Sequence, residues 1–220
     1  QDKNGTLWFG GSKGISSFDG KKFTCYTEEQ GLVDDAVSCL LFDKSDNLWI
    51  GTNGGVSKFD GKEFVSYTTE EGLVADGIWG MAEDKKGNIW FTTQQGICKY
   101  TGTTFESYTK NEGLLNNDCR SMIIDKEDNV WTTSYGAGLN EFDGKTFTYF
   151  TEKEGLTINT VWSLMEDKAG NIWIGSDGGG VCKYSCKSFS HYTYKKGMGY
   201  TVMSIFEDKD KNTWIGAYAN

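Results

Sequence analysis

The chain has 220 residues, with 31 acidic and 22 basic side chains, a formal net charge of −9 and a single arginine, Arg120. Proteins that bind nucleic acids neutralise phosphates with clustered Lys and Arg, so this charge argues against a nucleic-acid partner. The 29 glycines, the absence of proline and the abundance of Trp, Tyr and Phe favour many short strands joined by glycine turns.

A repeat of about 41 residues runs along the whole chain. Its clearest marker is a tryptophan that recurs at spacings of 41 or 42 residues: Trp8, Trp49, Trp90, Trp131, Trp173 and Trp214. A fixed period of this length is typical of repeat architectures, in which each unit is one supersecondary motif. Because these six tryptophans occur in every unit, we expect them to lie in the core.

Each unit contains four predicted strands, which we name A to D in chain order. In one unit, strand B is Leu48–Thr52, strand C runs from Val56 to Phe59, and strand D is Phe64–Thr68, with an Asp60-Gly61 hairpin turn between C and D. Strand A is exemplified by Val161–Asp167. A four-stranded antiparallel sheet cannot cover both of its apolar faces, so neighbouring units must pack face to face. The pattern therefore predicts an all-β fold, a β-propeller of four-stranded antiparallel blades.

The number of blades depends on how the two ends of the chain are interpreted. The predicted units are approximately 1–33, 34–74, 75–115, 116–157 and 158–199, with a partial unit at 200–220. The chain thus reads B-C-D, four complete units, then A-B. Either strand A near Val202–Glu207 completes the first unit and closes about five blades, or the chain is part of a larger ring. In both cases residues 1–220 are expected to form a single propeller domain.

The cysteines and apolar runs give little functional signal. Cys25, Cys39, Cys98, Cys119, Cys182 and Cys186 do not recur together and form no CxxC pair. We therefore predict no zinc site, and expect most of these residues to be buried thiols. Cys186 replaces a turn glycine, which disfavours a bond to Cys182. No apolar run approaches the roughly 18 residues of a membrane-spanning helix, so no membrane segment is predicted.

The segment 47–60, Asn-Leu-Trp-Ile-Gly-Thr-x-Gly-Gly-Val-x-x-Phe-Asp, resembles the repeats of the two-component regulator propeller family. The likeness returns in every unit. It implies an extracytoplasmic sensor of a hybrid two-component system, a periplasmic or extracellular location, and an oligosaccharide ligand released from dietary or host glycans. Sensors of that family usually carry more blades, a small sandwich-like domain, a membrane helix and a histidine kinase, none of which the sequence shows.

Comparison of the units shows that variation is confined to one predicted rim. The B–C loop is one residue longer at 134–138 and 176–180, and the D–A loop is one residue shorter around 196–200. Both connections emerge at the same end of a four-stranded antiparallel blade. Variation at one end is typical of a scaffold that carries a specialised surface. The alternative is that loop lengths change wherever the change does not disturb the fold.

One position on this rim is especially variable: the second residue of strand A is Ser38, Trp79, Arg120, Trp162 and Met203 in successive units. Indole faces stack on sugar rings, and a guanidinium donates a planar fork to hydroxyls or carboxylates. The predicted ligand-binding residues are Trp79, Arg120, Trp162, Asn53, Gln94, Tyr135, Asp177, Asn117 and Asn159, with Asn116 nearby. The alternative is that the two tryptophans fill gaps between blades and Arg120 pairs with a nearby acid.

Enzymatic functions are disfavoured. The Asp-Lys-x-Gly-Asn-x-Trp turns resemble the Asp-box of sialidases, but those enzymes need an arginine triad. A propeller lyase needs a histidine base beside a metal, and the one histidine, His191, lies on strand D. We predict no catalytic residue, cofactor or metal.

The main prediction is a sensor propeller that binds an oligosaccharide or another small polar ligand. The alternative is a lectin-like or adhesion propeller that binds a protein partner or further repeats.

Overall fold

The computed structural model describes residues 1–193 and 200–218. The chain divides into two compact units, Gln1–Ser107 and Tyr108–Asn220. The described residues contain 21 β-strands and one short 3-10 helix, η1 at Glu28–Gln30. The prediction of an all-β fold is confirmed.

The strands of the first unit follow the predicted B-C-D, A-B-C-D, A-B-C-D order. They are β1 (Leu7–Gly11), β2 (Gly14–Phe18), β3 (Phe23–Tyr26), β4 (Val37–Phe42), β5 (Leu48–Thr52), β6 (Val56–Phe59), β7 (Phe64–Tyr67), β8 (Ile78–Glu83), β9 (Ile89–Thr93), β10 (Gly96–Tyr100) and β11 (Phe105–Tyr108), which crosses the boundary by one residue. They form a three-stranded sheet, β1-β2-β3, and two four-stranded antiparallel sheets, β4 to β7 and β8 to β11.

The second unit contains two further complete blades and a pair of strands. Its strands are β12 (Cys119–Ile124), β13 (Val130–Ser134), β14 (Gly138–Phe142), β15 (Phe147–Phe150), β16 (Val161–Glu166), β17 (Ile172–Ser176), β18 (Val181–Ser185), β19 (Ser188–Tyr192), β20 (Thr201–Glu207) and β21 (Thr213–Tyr218). The sheets are β12 to β15, β16 to β19, and β20-β21. Strand A of the last unit thus pairs with its own strand B and does not complete the first sheet. The described strands form four four-stranded blades, one three-stranded sheet and one two-stranded sheet.

The turn between strands A and B explains why tryptophan recurs in every unit. The carboxylate of Asp84 accepts hydrogen bonds from the backbone N–H groups of Lys86 and Asn88, both at 2.9 Å. Its second oxygen accepts from the Asn88 amide at 2.7 Å and from the indole N–H of Trp90 at 3.2 Å. One buried carboxylate therefore closes the turn and orients the indole of the following strand.

Neighbouring blades pack face to face through aromatic side chains. The Trp49 ring stacks on Tyr67 of its own blade at 5.9 Å and packs against Tyr100 of the next blade at 5.6 Å. In the second unit, Trp131 stacks on Phe150 at 5.3 Å and packs against Tyr184 at 5.7 Å. These contacts place the repeated tryptophans between two sheets, as predicted for a propeller.

The prediction that all six repeated tryptophans are core residues is wrong for Trp214. Trp49, Trp90, Trp131 and Trp173 are buried, whereas Trp214 is 63% exposed and Trp8 is half-buried. Trp214 lies on β21 of the two-stranded sheet, and no described blade follows it to cover its ring.

The cysteines differ in their burial. Cys98, Cys119 and Cys182 are buried and Cys39 is half-buried, whereas Cys25 and Cys186 are exposed, and all six are free thiols. Three of the six are therefore buried as expected, one is half-buried, and two are exposed. Cys186 and Lys187 form the β18–β19 turn with φ values of 49° and 61°, so Cys186 does occupy a position that favours glycine.

Candidate functional site

The B–C and D–A loops lie at the same end of each blade and are joined by backbone hydrogen bonds. Asn53 N donates to Ala36 O at 3.2 Å, Tyr135 N to Asp118 O at 2.8 Å, and Asp177 N to Thr160 O at 2.9 Å. The predicted shared rim is therefore present in each of these blades. Of the shortened D–A loop predicted around 196–200, only Tyr200 lies within the described residues.

The variable position of strand A is the site of a β-bulge. The pairing of strands A and B shifts register around Ser38, Trp79, Arg120, Trp162 and Met203 in the five successive A strands. A bulge inserts an extra residue that has no direct partner and re-aims its side chain away from the regular ladder. This geometry explains how one position can hold Ser, Trp, Arg or Met while the surrounding sheet stays the same.

Two neighbouring bulges and two loop residues of the second unit form one cluster, which we call the rim cluster: Asp118, Arg120, Tyr135 and Trp162. The Arg120 guanidinium carbon lies 4.2 Å from the centre of the Tyr135 ring and 5.1 Å from that of Trp162. The two aromatic rings meet edge to face with centres 5.5 Å apart. Since a cation is attracted to the face of an aromatic ring, the three side chains stabilise one another's positions.

Asp118 completes the rim cluster by pairing with Arg120. Arg120 Nε donates to Asp118 Oδ1 at 3.2 Å, and its terminal NH2 group donates to Oδ2 at 3.0 Å. Both side chains are 26% exposed. The hydrogen bond to Asp118 raises the pKa of Arg120 above its usual value, although burial acts in the opposite direction. The guanidinium is therefore charged and held in a fixed plane.

The aromatic members of the cluster are accessible to different extents. Tyr135 is 39% exposed, whereas Trp162 is half-buried. The indole N–H of Trp162 is buried and has no hydrogen-bond partner among the described residues. A buried donor without a partner is uncommon in proteins and marks a place where an acceptor would be favourable.

Asp118 was not among the site residues predicted from the sequence. The equivalent positions in other units are Ala36, Gly77, Thr160 and Thr201, so a carboxylate occurs there in one unit alone. The available signal was its place two residues before the single arginine. Arg120 was interpreted either as a ligand-binding residue of the rim or as the partner of a nearby acid. In the structure its guanidinium pairs with an acid and also packs against two aromatic rings of the rim.

The predicted site residues of the first unit lie on its rim. Trp79, the bulge residue of β8, is 37% exposed. Gln94 lies in the B–C loop of the same blade and Asn53 in that of the preceding blade, and both side chains are exposed.

The remaining predicted residues of the second unit have side-chain oxygens engaged in the loops. Asn117 Oδ1 accepts from Lys110 N at 2.7 Å, and Asn159 Oδ1 accepts from Glu152 N at 2.9 Å. Asp35 and Asp76 make the same bond in other units, which indicates a loop-forming role for this position. Asp177 Oδ1 accepts from the Thr201 hydroxyl at 2.6 Å. Asn116 donates from its amide to Tyr135 O at 3.0 Å and so supports the rim cluster.

His191 has a structural environment. Its Nε2 lies 2.8 Å from Gly155 O, and Tyr149 at the equivalent position donates to Gly113 O at 2.6 Å. Both side chains therefore anchor a D–A loop. The described part of the chain contains no group of three or more His, Cys, Asp or Glu residues placed to hold a metal ion.

The repeat matches a known family model. The model described as two-component regulator propeller matches residues 31–54, 72–95 and 155–178. Three of the repeat units of this chain are therefore similar to repeats of that family. Each matched segment of this propeller begins in the D–A loop, passes through the bulged strand A and the tryptophan of strand B, and ends in the B–C loop.

Solved structures share the propeller fold. An extracellular domain from B. thetaiotaomicron, assigned to a hybrid two-component system, has a TM-score of 0.83 at 22% identity and covers 98% of this chain. A second extracellular domain of this kind from B. thetaiotaomicron has a TM-score of 0.68 at 23% identity and covers 99% of this chain. The chain spans 33% and 37% of the lengths of these two domains.

An enzyme shares the fold as well. An inactive variant of virginiamycin B lyase from Staphylococcus aureus, with quinupristin, has a TM-score of 0.78 at 14% identity and covers 97% of this chain and 74% of its own. No curated protein matches the sequence. These comparisons confirm a propeller domain similar to sensor domains of hybrid two-component systems. In the part of the chain that the structure describes, no helix has the length and apolar character to cross a membrane.

Proposed function

We propose that this propeller binds an oligosaccharide or another small polar ligand at the rim cluster, as part of an extracytoplasmic sensor. The observation that carries this proposal is the packing of the Arg120 guanidinium against Tyr135 at 4.2 Å and Trp162 at 5.1 Å on one rim. The five described bulge positions hold Ser, Trp, Arg, Trp and Met, and such variation within a regular repeat is expected of a surface adapted to a ligand.

The chemistry of the cluster suits a polyhydroxylated ligand. The exposed part of Tyr135 offers an aromatic surface for the apolar side of a sugar ring. The Asp118 carboxylate accepts hydrogen bonds from hydroxyl groups, and the guanidinium donates them. Because the two charged groups orient each other, little side-chain freedom would be lost on binding.

The proposed location and role depend on the comparisons. The similar domains are described as extracellular parts of two-component systems, which supports a periplasmic or extracellular position for this chain. We propose binding without catalysis, since His191 holds a loop in place and the rim cluster contains no nucleophile with an adjacent base.

The direct test is binding to a broad glycan array, followed by calorimetry on any hit with the full chain. We expect Tyr135→Leu and Trp162→Phe to weaken binding at least tenfold, since each removes an aromatic surface or an indole N–H. Met203→Leu is the matched control, because Met203 is an exposed bulge residue of another blade. Absence of any hit, or equal binding by all four proteins, would overturn the proposal.

A second candidate is a protein-interaction propeller, favoured by the exposed face of β20 and β21. Phe206, Trp214 and Tyr218 are 64%, 63% and 66% exposed, which is more apolar exposure than isolated surface residues provide. Light scattering of the wild type and of Trp214→Ser distinguishes the two. Concentration-dependent association that the variant abolishes favours this candidate, and a monomer at all concentrations argues against a second copy as the partner.

A further inference from the structure

We propose that the rim cluster selects neutral saccharides over acidic ones and that Asp118 determines this selectivity. The inference rests on the proposed function, and it adds a specificity residue that the sequence repeat did not reveal.

The positive charge of Arg120 is already compensated. Two parallel hydrogen bonds of 3.2 and 3.0 Å join the guanidinium to the Asp118 carboxylate, and both groups are only 26% exposed. A fork-to-fork pair of this kind satisfies the geometry by which arginine recognises a ligand carboxylate or sulfate. An acidic sugar would have to displace Asp118 or bind beside it.

The surrounding charges make an anion still less favourable. Asp177, on the B–C loop of the next blade, adds a second carboxylate to this rim, while the whole chain carries a formal net charge of −9. Two like charges repel at the partly dehydrated rim more strongly than in bulk water. A neutral sugar meets no such repulsion, because its hydroxyls can donate to Asp118 and accept from the outer N–H groups of Arg120.

The aromatic rings complete the preference. The guanidinium lies over both Tyr135 and Trp162, so those ring faces are already polarised by a cation. Tyr135 remains 39% exposed, and the exposed part of its ring is suited to the C–H face of an uncharged pyranose. The cluster thus provides stacking and paired hydroxyl contacts without a free positive charge.

The experiment uses an array in which neutral oligosaccharides stand beside their sialylated, sulfated and glucuronylated forms. We expect the full wild-type chain to bind an acidic oligosaccharide at least tenfold more weakly than its neutral form. Asp118→Asn should reduce this ratio of affinities by about tenfold. Asp143→Asn is the matched control, because it removes the same charge from a turn of the same blade at the other end. We expect it to leave the ratio unchanged.

The outcomes separate this inference from the proposed function. Equal or tighter binding of acidic forms by the wild type overturns the neutral preference and leaves ligand binding intact. An unchanged ratio in Asp118→Asn overturns the role of Asp118. No binding to any glycan overturns the proposed function, and this inference with it. If the variant folds poorly, the salt dependence of wild-type binding to the acidic form is decisive. High salt screens the repulsion by Asp118 and should tighten this binding, whereas weaker binding at high salt indicates that Arg120 recognises the anion and overturns the inference.

Discussion

The indole N–H of Trp173 donates to the carboxylate of Asp167 at 2.8 Å, and this pair connects the A–B turn to the packing between blades. The same bond joins Asp43 to Trp49 at 2.9 Å, Asp125 to Trp131 at 2.7 Å and Asp208 to Trp214 at 2.8 Å. The carboxylate belongs to the polar A–B turn and the indole to the apolar strand B. The bond therefore joins the local structure of the turn to the packing of strand B.

Replacement of Asp167 by alanine should destabilise the protein strongly. Asp167 is 6% exposed. Its carboxylate accepts hydrogen bonds from Ala169 N, Asn171 N, the Asn171 amide and the Trp173 indole. Loss of the acceptor leaves several donors unpaired, so we expect the free energy of unfolding to fall by about 2–3 kcal/mol. Asp143→Ala, in an exposed turn, should cost less than half as much. Urea denaturation of both variants tests this, and equal losses would contradict it.

Stability should decrease in acid because several of these carboxylates have lowered pKa values. Burial opposes ionisation of Asp167, but hydrogen bonds from Asn171 and Trp173 outweigh it and hold its pKa below the usual value. The hydrogen bond from Trp214 lowers the pKa of Asp208 to about 2. The unfolded chain then binds protons more tightly than the folded one, so stabilisation is complete above the ordinary Asp pKa of about 4.

We therefore expect the free energy of unfolding to fall as the pH drops from about 4 toward 2. Urea unfolding over this range measures the fall, and Asp167→Asn should make it shallower. Glu141 and Glu166 act in the opposite sense, because burial raises their pKa values. Stability should accordingly be slightly higher at mildly acidic than at neutral pH. A steady rise in stability down to the lowest pH would contradict the prediction.

Burial, rather than repeat position, should determine the effect of removing a repeated tryptophan. Trp49 is 2% exposed and packs between Tyr67 and Tyr100, whereas Trp214 is 63% exposed. We expect Trp49→Ala to lower the free energy of unfolding by about 3–5 kcal/mol and Trp214→Ala by about 1 kcal/mol or less. Thermal denaturation of the two variants provides the comparison, and similar losses would show that another surface covers Trp214.

Where strands A and B pair closely, a glycine on one strand makes room for a larger residue on the other, so exchanging their sizes should restore part of the lost stability. Gly51 is paired with Cys39, and a Cβ on Gly51 would lie 2.6 Å from Cys39 Sγ and 2.8 Å from Ile78 Cγ2. In the next blade the sizes are reversed, with Gly80 paired with Thr92. We expect Gly51→Thr to cost about 2–3 kcal/mol through overpacking, and Cys39→Gly to recover part of that loss in the double variant. A double-mutant cycle measures the coupling, and simple additivity would exclude compensation.

Local features of the fold could be predicted from the sequence because they depend on short-range chemistry. The strand order and the turns follow from the 41-residue period and from groups such as Asp60-Gly61, which recur whatever the tertiary surroundings. The variable second position of strand A was also visible, since it breaks a repeat that is otherwise regular.

The bulge at that position and the pairing of Asp118 with Arg120 were decided by the tertiary structure. Asp118 lies two residues before Arg120, but this spacing alone does not show that the two side chains meet. That depends on how the D–A loop and strand A bring them to one face and place Tyr135 and Trp162 beside them. The exposure of Trp214 has the same origin. A strand of similar sequence is buried where another blade lies against it and exposed where none does. Sequence alone determined the repeating framework, and packing between loops and blades determined which of its irregular residues form a site.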